Sequence, residues 1–489
     1  MSIPGLGQIP TKPAASAVRT YTLQPLWEYR FEVAHGSTAT VTLVSGTAER
    51  DGTELAAGVP YRLSGAKSKL LSWRGATLTV EGPADDYVAE TATPNPATGA
   101  AADDPVPCLA HLNLHALLQR QRDAVASSSA GTSSGQKQQQ QQQQQQHGPR
   151  VLVAGSASSG RTSLVRTLAA WAARAGSQPT VANADPREGV LTLPGTLSAA
   201  VFATPMDPAS GEGWGSAPSS GPGAVPVKLP LVYHYGRQRA EEDPPLYRAL
   251  ASSLASAVAA RAVTDPDVRA AGLLVDSPPW VGGAGVETLA HLVEEFSVNI
   301  VVVLGSARLT QELTRRFATE KTSLGEPISV VSLDKSDGVV ERDEGFLQQC
   351  HEAAIKEYFF GDAGLTLSPS TQQVSFDDVH IYMPVNDGPA GPPVKSAEDG
   401  DYKTAATGTL EKLTQPLPEL AHWTLAMMNA SPGDPPDRIR SATVAGFVYV
   451  AAVDKERRRM KILAPVSGRL GDRPLVWGRW PEPHINLLG

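Results

Sequence analysis

The chain has 489 residues, with 42 Lys and Arg against 50 Asp and Glu and a formal net charge of −8. Nucleic-acid binding over a whole surface needs an excess of clustered Lys and Arg, so this charge excludes that class of protein. The sequence contains no apolar run of about 18 residues, so no membrane span is predicted, and its two cysteines lie far apart, outside any Cys-x-x-Cys pattern, which favours a reducing compartment over a zinc site or disulfide framework.

Residues 1–107 are predicted to form an N-terminal β-rich domain. Short runs of β-branched and aromatic residues are separated by glycine-containing turns, at residues 29–33, 39–44, 61–63, 70–73 and 77–80. Short strands at this spacing are typical of a small sandwich or barrel.

Residues 108–126 show the leucine pattern of a helix, and a low-complexity insert follows at residues 127–147. The insert begins with serines and includes nine consecutive glutamines. Such a tract cannot bury apolar surface, so we expect a disordered loop with no catalytic role. A second flexible insert, rich in Pro, Gly and Ser, is predicted at residues 203–226.

The middle of the chain, residues 108–364, alternates apolar strands with helical stretches. The predicted buried strands are residues 151–154, 180–184, 272–276, 299–304 and 328–333. The predicted helices are residues 162–175, 247–263, 286–296 and 309–317. This alternation indicates an α/β domain with a parallel sheet. Residues 365–489 return to short strands, of which 442–454 and 460–464 are the clearest.

The first strand of the middle segment leads into a phosphate-binding loop. The loop reads Gly155, Ser156, Ala157, Ser158, Ser159, Gly160, Arg161, Thr162 and Ser163. Its glycines let the backbone turn sharply, its N–H groups can surround phosphate oxygens, and the following helix contributes its N-terminus. The hydroxyl of Thr162 is predicted to bind Mg²⁺. A Gly/Ser-rich turn without a ligand is the alternative.

One position departs from this motif, because Arg161 stands where the motif has Lys. The lysine acts as a compact point charge between the terminal phosphates, whereas arginine is a longer planar fork. Arg161 keeps the charge but is expected to misplace it in the transition state, where a displacement of ~1 Å costs roughly 100-fold in rate.

A carboxylate is predicted beside this loop. Asp185 follows the second apolar strand, about 30 residues after the loop. At the carboxyl end of a parallel strand it could position Mg²⁺ or activate a hydroxyl. Asp276 also ends a strand and is a weaker candidate for the same role, and an ordinary turn aspartate remains the alternative for Asp185.

Several further segments, in one order along the chain, resemble the polynucleotide 5′-hydroxyl-kinase family, in its fungal branch of pre-mRNA cleavage and polyadenylation factor subunits (the Clp type). They include Glu28-Tyr29-Arg30-Phe31-Glu32-Val33, Gly65-Ala66-Lys67, Ser72-Trp73-Arg74-Gly75, Pro194-Gly195-Thr196, Leu231-Val232-Tyr233-His234-Tyr235-Gly236, Gly338-Val339-Val340-Glu341-Arg342 and Leu475-Val476-Trp477-Gly478.

The resemblance implies a central P-loop kinase-like domain, at residues 108–364, between an N-terminal β-sandwich and a small C-terminal β-rich domain at residues 365–489. It implies ATP and Mg²⁺ as cofactors, a nuclear location, and other cleavage-factor subunits as partners, with pre-mRNA contacted indirectly or weakly. It also implies roles for single residues: Glu28 and Lys67 contact the nucleotide, Trp280 stacks on the RNA end, and Arg308 belongs to a lid that neutralises the transferring phosphoryl group.

Three functions compete at this point. Arg161, together with the run Arg237-Gln238-Arg239-Ala240 where active relatives have small hydroxyl residues, favours an ATP-holding, non-catalytic scaffold of the pre-mRNA 3′-end machinery. The alternative is an active RNA 5′-hydroxyl kinase with Mg²⁺ on Thr162, Asp185 as its base or metal-positioning group, and Arg308 as its lid cation. The third is an unrelated P-loop NTPase, which would explain the phosphate-binding loop but not the N- and C-terminal segments that resemble the family.

Overall fold

The computed structural model describes residues 18–90, 106–130, 146–204, 206–209, 230–279, 283–361, 366–385, 387–389, 409–465, 471–483 and 487. The chain divides into two compact units, residues 1–104 with 208–213 and residues 105–207 with 214–489. Among the described residues no helix is long and apolar enough to cross a membrane. The three-domain division at residues 107 and 364 stays a prediction.

The first unit is a β-sandwich. Its strands are β1 Arg19–Leu23, β2 Glu28–Val33, β3 Ala39–Gly46, β4 Glu49–Arg50, β5 Thr53–Glu54, β6 Pro60–Leu63, β7 Ala66–Leu71, β8 Ala76–Glu81 and β9 Asp85–Ala89. They form one sheet in the order β1-β8-β3-β6 and a second in the order β5-β4-β7-β2-β9. Tyr29, Phe31 and Val33 alternate inward along β2 and pack with inward residues of the other sheet, such as Val41 and Leu78. The expected β-rich domain is confirmed.

One strand prediction in this unit is wrong at both ends. A strand was expected at residues 70–73, but β7 starts at Ala66 and ends at Leu71. Ser72 instead closes a turn: its hydroxyl donates to the Thr47 carbonyl at 2.7 Å and accepts from the Gly75 amide at 2.9 Å. Serine side chains that bond nearby backbone groups compete with the sheet ladder in this way.

The second unit contains a seven-stranded mixed sheet. Its strands are β10 Arg150–Gly155, β11 Thr180–Asn183, β12 Thr196–Val201, β13 Leu231–His234, β14 Leu273–Asp276, β15 Ile300–Leu304 and β16 Ser329–Leu333, in the order β13-β12-β11-β14-β10-β15-β16. The strands β11, β14, β10, β15 and β16 are parallel to one another, whereas β12 is antiparallel to both of its neighbours, β11 and β13. The α/β class is confirmed, but β12 and β13 were missed, and β16 is half exposed rather than buried.

The second unit also contains helices. They are α1 Pro107–Ala130, α2 Arg161–Arg174, α3 Pro244–Thr264, α4 Pro266–Ala271, α5 Ala284–Glu295, α6 Ala307–Arg316, α7 Glu344–Phe360 and, in the C-terminal part, α8 Pro436–Ser441. All six residues of β10 are buried, as expected for a strand covered on both faces. The sequence predictions missed α4, α7 and α8. The predicted start of the Ser/Gln-rich insert at residue 127 is too early, because α1 continues to Ala130. The rest of that insert up to residue 145, and most of the second insert at residues 203–226, lie outside the described residues.

A second seven-stranded sheet completes this unit. Its strands are β17 Ser370–Ser375, β18 Ile381–Pro384, β19 Leu410–Lys412, β20 Thr424–Met428, β21 Val444–Asp454, β22 Arg459–Ala464 and β23 Leu475–Trp477, in the order β17-β22-β21-β20-β23-β18-β19. The predicted strand pair at 442–454 and 460–464 is confirmed. Ile355, Tyr358 and Phe359 of α7 pack into a core shared with Phe447 and Tyr449 of β21, so α7 belongs to this C-terminal part of the fold.

Three of the segments that carry the family resemblance meet where the two large sheets join. The amides of Tyr235 and Gly236 both donate to the Gly195 carbonyl, at 2.9 and 2.8 Å, and the Trp480 amide donates to the Gly236 carbonyl at 3.2 Å. Gly236 has a φ of +68°, and a Cβ there would lie 2.8 Å from Cα of Gly478. Glycine is therefore required at position 236 by both its backbone conformation and the close approach of another backbone.

The variant Gly236→Ala tests this junction against Gly325→Ala. Gly325 has a similar φ of +79°, but a Cβ added to it would meet no described atom within 4 Å, so Gly325→Ala carries the backbone strain alone, about 1 kcal/mol. Gly236→Ala adds an overlap with backbone and is expected to cost about 1–3 kcal/mol more. Calorimetric unfolding of both variants measures the difference, and equal shifts in Tm would contradict the close-packing argument.

Candidate nucleotide-binding site

The phosphate-binding loop has the backbone that its sequence predicts. It leaves β10 at Gly155 and enters α2 at Arg161. Ser158 and Gly160 have positive φ, +50° and +90°, and a Cβ at Gly155 would lie 2.6 Å from Oγ of Ser159. The Ser159 hydroxyl is buried and makes no hydrogen bond to any described residue. A buried, unsatisfied hydroxyl at the N-terminus of a 14-residue helix fits a bound phosphate group.

Arg161, the first residue of α2, is buried at 6% exposure and is engaged with the protein itself. Nη1 donates a hydrogen bond to the carbonyl of Ser277, and Nη2 lies 3.8 Å from Oδ2 of Asp185. The guanidinium therefore lies at the carboxyl ends of β11 and β14, between a backbone carbonyl and a carboxylate.

Thr162 is paired with Asp276, which the sequence indicated as the weaker candidate for the Mg²⁺-positioning carboxylate. Its Oγ1 donates to Oδ2 of Asp276 at 2.7 Å, and Oδ1 of Asp276 is buried without a hydrogen-bond partner in the described chain. A hydroxyl beside a carboxylate with an open oxygen is a donor set that fits Mg²⁺, which takes one or two carboxylates and completes its shell with phosphates and water. The predicted metal pair of Thr162 with Asp185 stays a prediction, and the hydroxyl contacts Asp276 instead.

Both carboxylates are buried at one edge of the sheet, and this raises their pKa values. Burial is the largest cause for each: the pKa of Asp185 rises to about 7 and that of Asp276 to about 6. The positive charge of Arg161 lowers both pKa values, and the negative charge of Glu188 raises both. The site thus gathers negative charge that Arg161 offsets for both carboxylates and Arg166 offsets further for Asp276.

The remaining predicted residues lie in different places. Ser163 is exposed on α2, and Arg308 is exposed on α6. Glu28 and Lys67 belong to the other unit: Glu28 is buried and paired with Arg30 at 2.8 Å and with Lys69, and Lys67 is paired with Glu32 at 3.0 Å. Trp280 lies outside the described residues.

Sequence reasoning missed three contributors to the site. Ser277 supplies the carbonyl that accepts a hydrogen bond from Arg161. The only feature of the sequence that points to Ser277 is its position directly after Asp276. Glu188 and Arg342 form an ion pair, Oε2 to Nη1, of 3.5 Å. Arg342 ends one of the segments that carried the family resemblance, but no pattern in the sequence links it to Glu188.

Family models match nearly the whole chain. They are described as the N-terminal beta-sandwich domain of polyadenylation factor, matching residues 22–125, the mRNA cleavage and polyadenylation factor CLP1 P-loop, matching residues 155–361, and the pre-mRNA cleavage complex II protein Clp1, matching residues 367–482. The chain belongs to the CLP1 family of mRNA cleavage and polyadenylation factors.

Relatives and a solved structure agree with this membership. The chain is 61% identical to the mRNA cleavage and polyadenylation factor CLP1 of Pyricularia oryzae and 51% identical to that of Chaetomium globosum, each over 100% of both chains. Its fold is similar to the wild-type Clp1p of a Clp1p–Pcf11p complex, with a TM-score of 0.78 and 24% identity over 96% of this chain and 99% of that one. The predicted family is thereby confirmed, and the CLP1 family's P-loop domain contains the site described above.

The raised pKa values predict a pH dependence of stability in the ligand-free protein. A carboxyl group whose pKa is higher in the folded than in the unfolded chain binds more protons when folded, so its contribution is full below about pH 4 and is lost as pH rises through about 6–7. Asp185→Asn is expected to shrink the loss in free energy of unfolding between pH 5 and pH 8 by about 1–3 kcal/mol. Urea titrations at both pH values measure this, with the exposed Asp378→Asn as control; an unchanged pH dependence in Asp185→Asn would show that burial of Asp185 does not carry the effect.

Proposed function

We propose that the chain holds ATP with Mg²⁺ in its P-loop as a nuclear subunit of the pre-mRNA 3′-end cleavage and polyadenylation machinery, and that it turns ATP over little or not at all. The observation that carries the second part is the environment of Arg161. Its guanidinium is buried against the Ser277 carbonyl and Asp185. Phosphoryl transfer depends on cations that are positioned in advance at the transferring group, whereas the Arg161 guanidinium is directed at two groups of the protein itself.

Nucleotide binding does not depend on that cation alone. The backbone amides of the loop, the N-terminus of α2 and the Ser159 hydroxyl, which has no hydrogen-bond partner among the described residues, can donate hydrogen bonds to phosphate oxygens. Thr162 and Asp276 would hold Mg²⁺, which when bound neutralises charge between the phosphate groups. Binding to the folded chain stabilises it by mass action, which is the expected role of a nucleotide that is held rather than consumed.

One observation favours the alternative, an active RNA 5′-hydroxyl kinase. Asp185 is buried with a pKa raised to about 7, and a general base works best when its pKa lies near the working pH. Arg161 opposes this role, because a carboxylate 3.8 Å from a guanidinium has a competing partner.

Transfer of labelled γ-phosphate to a 5′-hydroxyl RNA separates the two functions. We expect the natural protein to retain stoichiometric ATP, quantified after denaturation, without labelling RNA. Arg161→Lys is expected to gain transfer activity, by up to about 100-fold over the natural protein, because a shorter point charge can reach the phosphates. Arg174→Lys, the same change in the last turn of α2, is the control. Efficient labelling by the natural protein would establish the kinase in place of the scaffold.

The partner proposal comes from the solved relative, which was determined in complex with Pcf11p. We propose that this chain binds the Pcf11p counterpart of its own organism and contacts pre-mRNA weakly or through other subunits. Purified chain and counterpart are expected to co-elute at equal stoichiometry in size-exclusion chromatography, and an unrelated acidic protein serves as control. Separate elution at micromolar concentration would remove complex formation from the proposal and leave nucleotide binding untouched.

A further inference from the structure

The segment after β16, residues 334–342, contains a motif of the family resemblance that the proposed function does not use. It begins with a turn in which the amides of Gly338 and Val339 donate to the Ser336 hydroxyl and carbonyl, at 3.3 and 3.1 Å. It ends at α7, whose N-cap Asp343 accepts a hydrogen bond from the Phe346 amide at 2.7 Å. Both of its ends are therefore anchored in regular structure.

This segment crosses the carboxyl edge of the parallel sheet above the phosphate-binding loop. β16 and β11 are four strand spacings apart, or about 19 Å, with β10 between them. Midway, a Cβ at Gly160 would lie 3.4 Å from Cγ2 of Val339. At the far side, Nη1 of Arg342 lies 3.5 Å from Oε2 of Glu188, three residues after Asp185. Along residues 334–342, the contacts therefore run from β16, over the phosphate-binding loop, to the segment after β11.

The ion pair at the far side matters electrostatically. Glu188 adds negative charge next to Asp185 and Asp276, and the pKa values of both carboxyls rise because of it. Arg342 offsets that charge. Without Arg342, the negative charge of Glu188 would be neutralised less and would repel an anionic nucleotide more strongly. Residues 334–342 would also lose a contact to the β11 side of the site.

We propose that residues 334–342 form a strap that retains nucleotide in the P-loop, and that the Glu188–Arg342 pair is the latch that holds it closed. This inference rests on the proposed binding of ATP but not on whether ATP is turned over. Glu188 and Arg342 act as positioning residues: they hold Val339 over Gly160 rather than reacting with the nucleotide.

Release of a fluorescent ATP analogue, chased with excess MgATP in a stopped-flow instrument, tests the latch. Arg342→Gln is expected to speed dissociation by about two- to five-fold, the scale of a partly exposed ion pair, with a smaller change in the association rate. Glu188→Gln is expected to speed dissociation less, because it breaks the same ion pair but also removes a negative charge beside the anionic nucleotide. Arg342→Lys should keep most of the retention. The exchanged pair Glu188→Arg with Arg342→Glu should restore slow release. Arg438→Gln breaks an ion pair of similar length, to Asp434 at 3.3 Å, made by a more exposed arginine in the C-terminal part, and should leave the rate unchanged.

Each result has a defined consequence. Dissociation rates equal to that of the natural protein in both single variants would overturn the latch while nucleotide binding stands. Faster release without rescue by the exchanged pair would assign the effect to other contacts of Arg342 and would also overturn it. A natural protein that binds no analogue at all would refute the proposed function itself, and the latch with it.

Discussion

The site depends on parallel strands that end at one edge of the central sheet. Val153 of β10, Asp276 of β14 and Asn183 of β11 are in register. The chain segments that leave these strands therefore start side by side, and they bring the phosphate-binding loop, Asp276 and Asp185 together without any long-range packing of loops. The carboxyl edge is the general place for ligands in open α/β sheets, and here the register determines which side chains meet there.

That convergence creates a problem of charge, and Arg161 is part of its solution. Burial removes both carboxylates from water and the negative charge of Glu188 acts on both, which is why both pKa values rise; Asp276 raises the pKa of Asp185 further. A buried carboxylate needs a paired cation and hydrogen bonds to remain ionised. The guanidinium of Arg161 supplies the cation, because it lies beside Asp185 while it donates a hydrogen bond to the Ser277 carbonyl. The hydrogen bond to the carboxylate comes from the Arg187 amide, which donates to Oδ1 of Asp185 at 3.0 Å. The lysine ammonium is a compact charge with three rotatable donors on a flexible stem, so it would not hold both partners in the fixed planar geometry of the guanidinium.

The sequence allowed the loop, its strand and its helix to be predicted, because glycine spacing and apolar runs are local signals. The order of β-rich, α/β and β-rich segments followed from the same periodicities. The partner of Thr162 was not predictable in this way, since the pairing with Asp276 depends on strand register across more than a hundred residues. β12 and β13 were missed because they are short and flank a segment rich in Pro and Gly. The Glu188–Arg342 pair was missed because its two residues meet only after the chain leaving β16 crosses the sheet edge.

The path of α7 connects the nucleotide site to the C-terminal part of the fold. The helix starts directly after Asp343, the neighbour of Arg342, and its last turns are buried in the C-terminal core, where the Tyr358 hydroxyl accepts a hydrogen bond from the Phe447 amide at 2.9 Å. The segment over the phosphate-binding loop is thus fixed at one end by the central sheet and at the other by the C-terminal core. A half-buried ion pair between these anchors is weak by itself, but it acts on a segment whose ends cannot move far. A modest interaction can then decide how often the site opens, which is the property that a nucleotide-holding subunit requires.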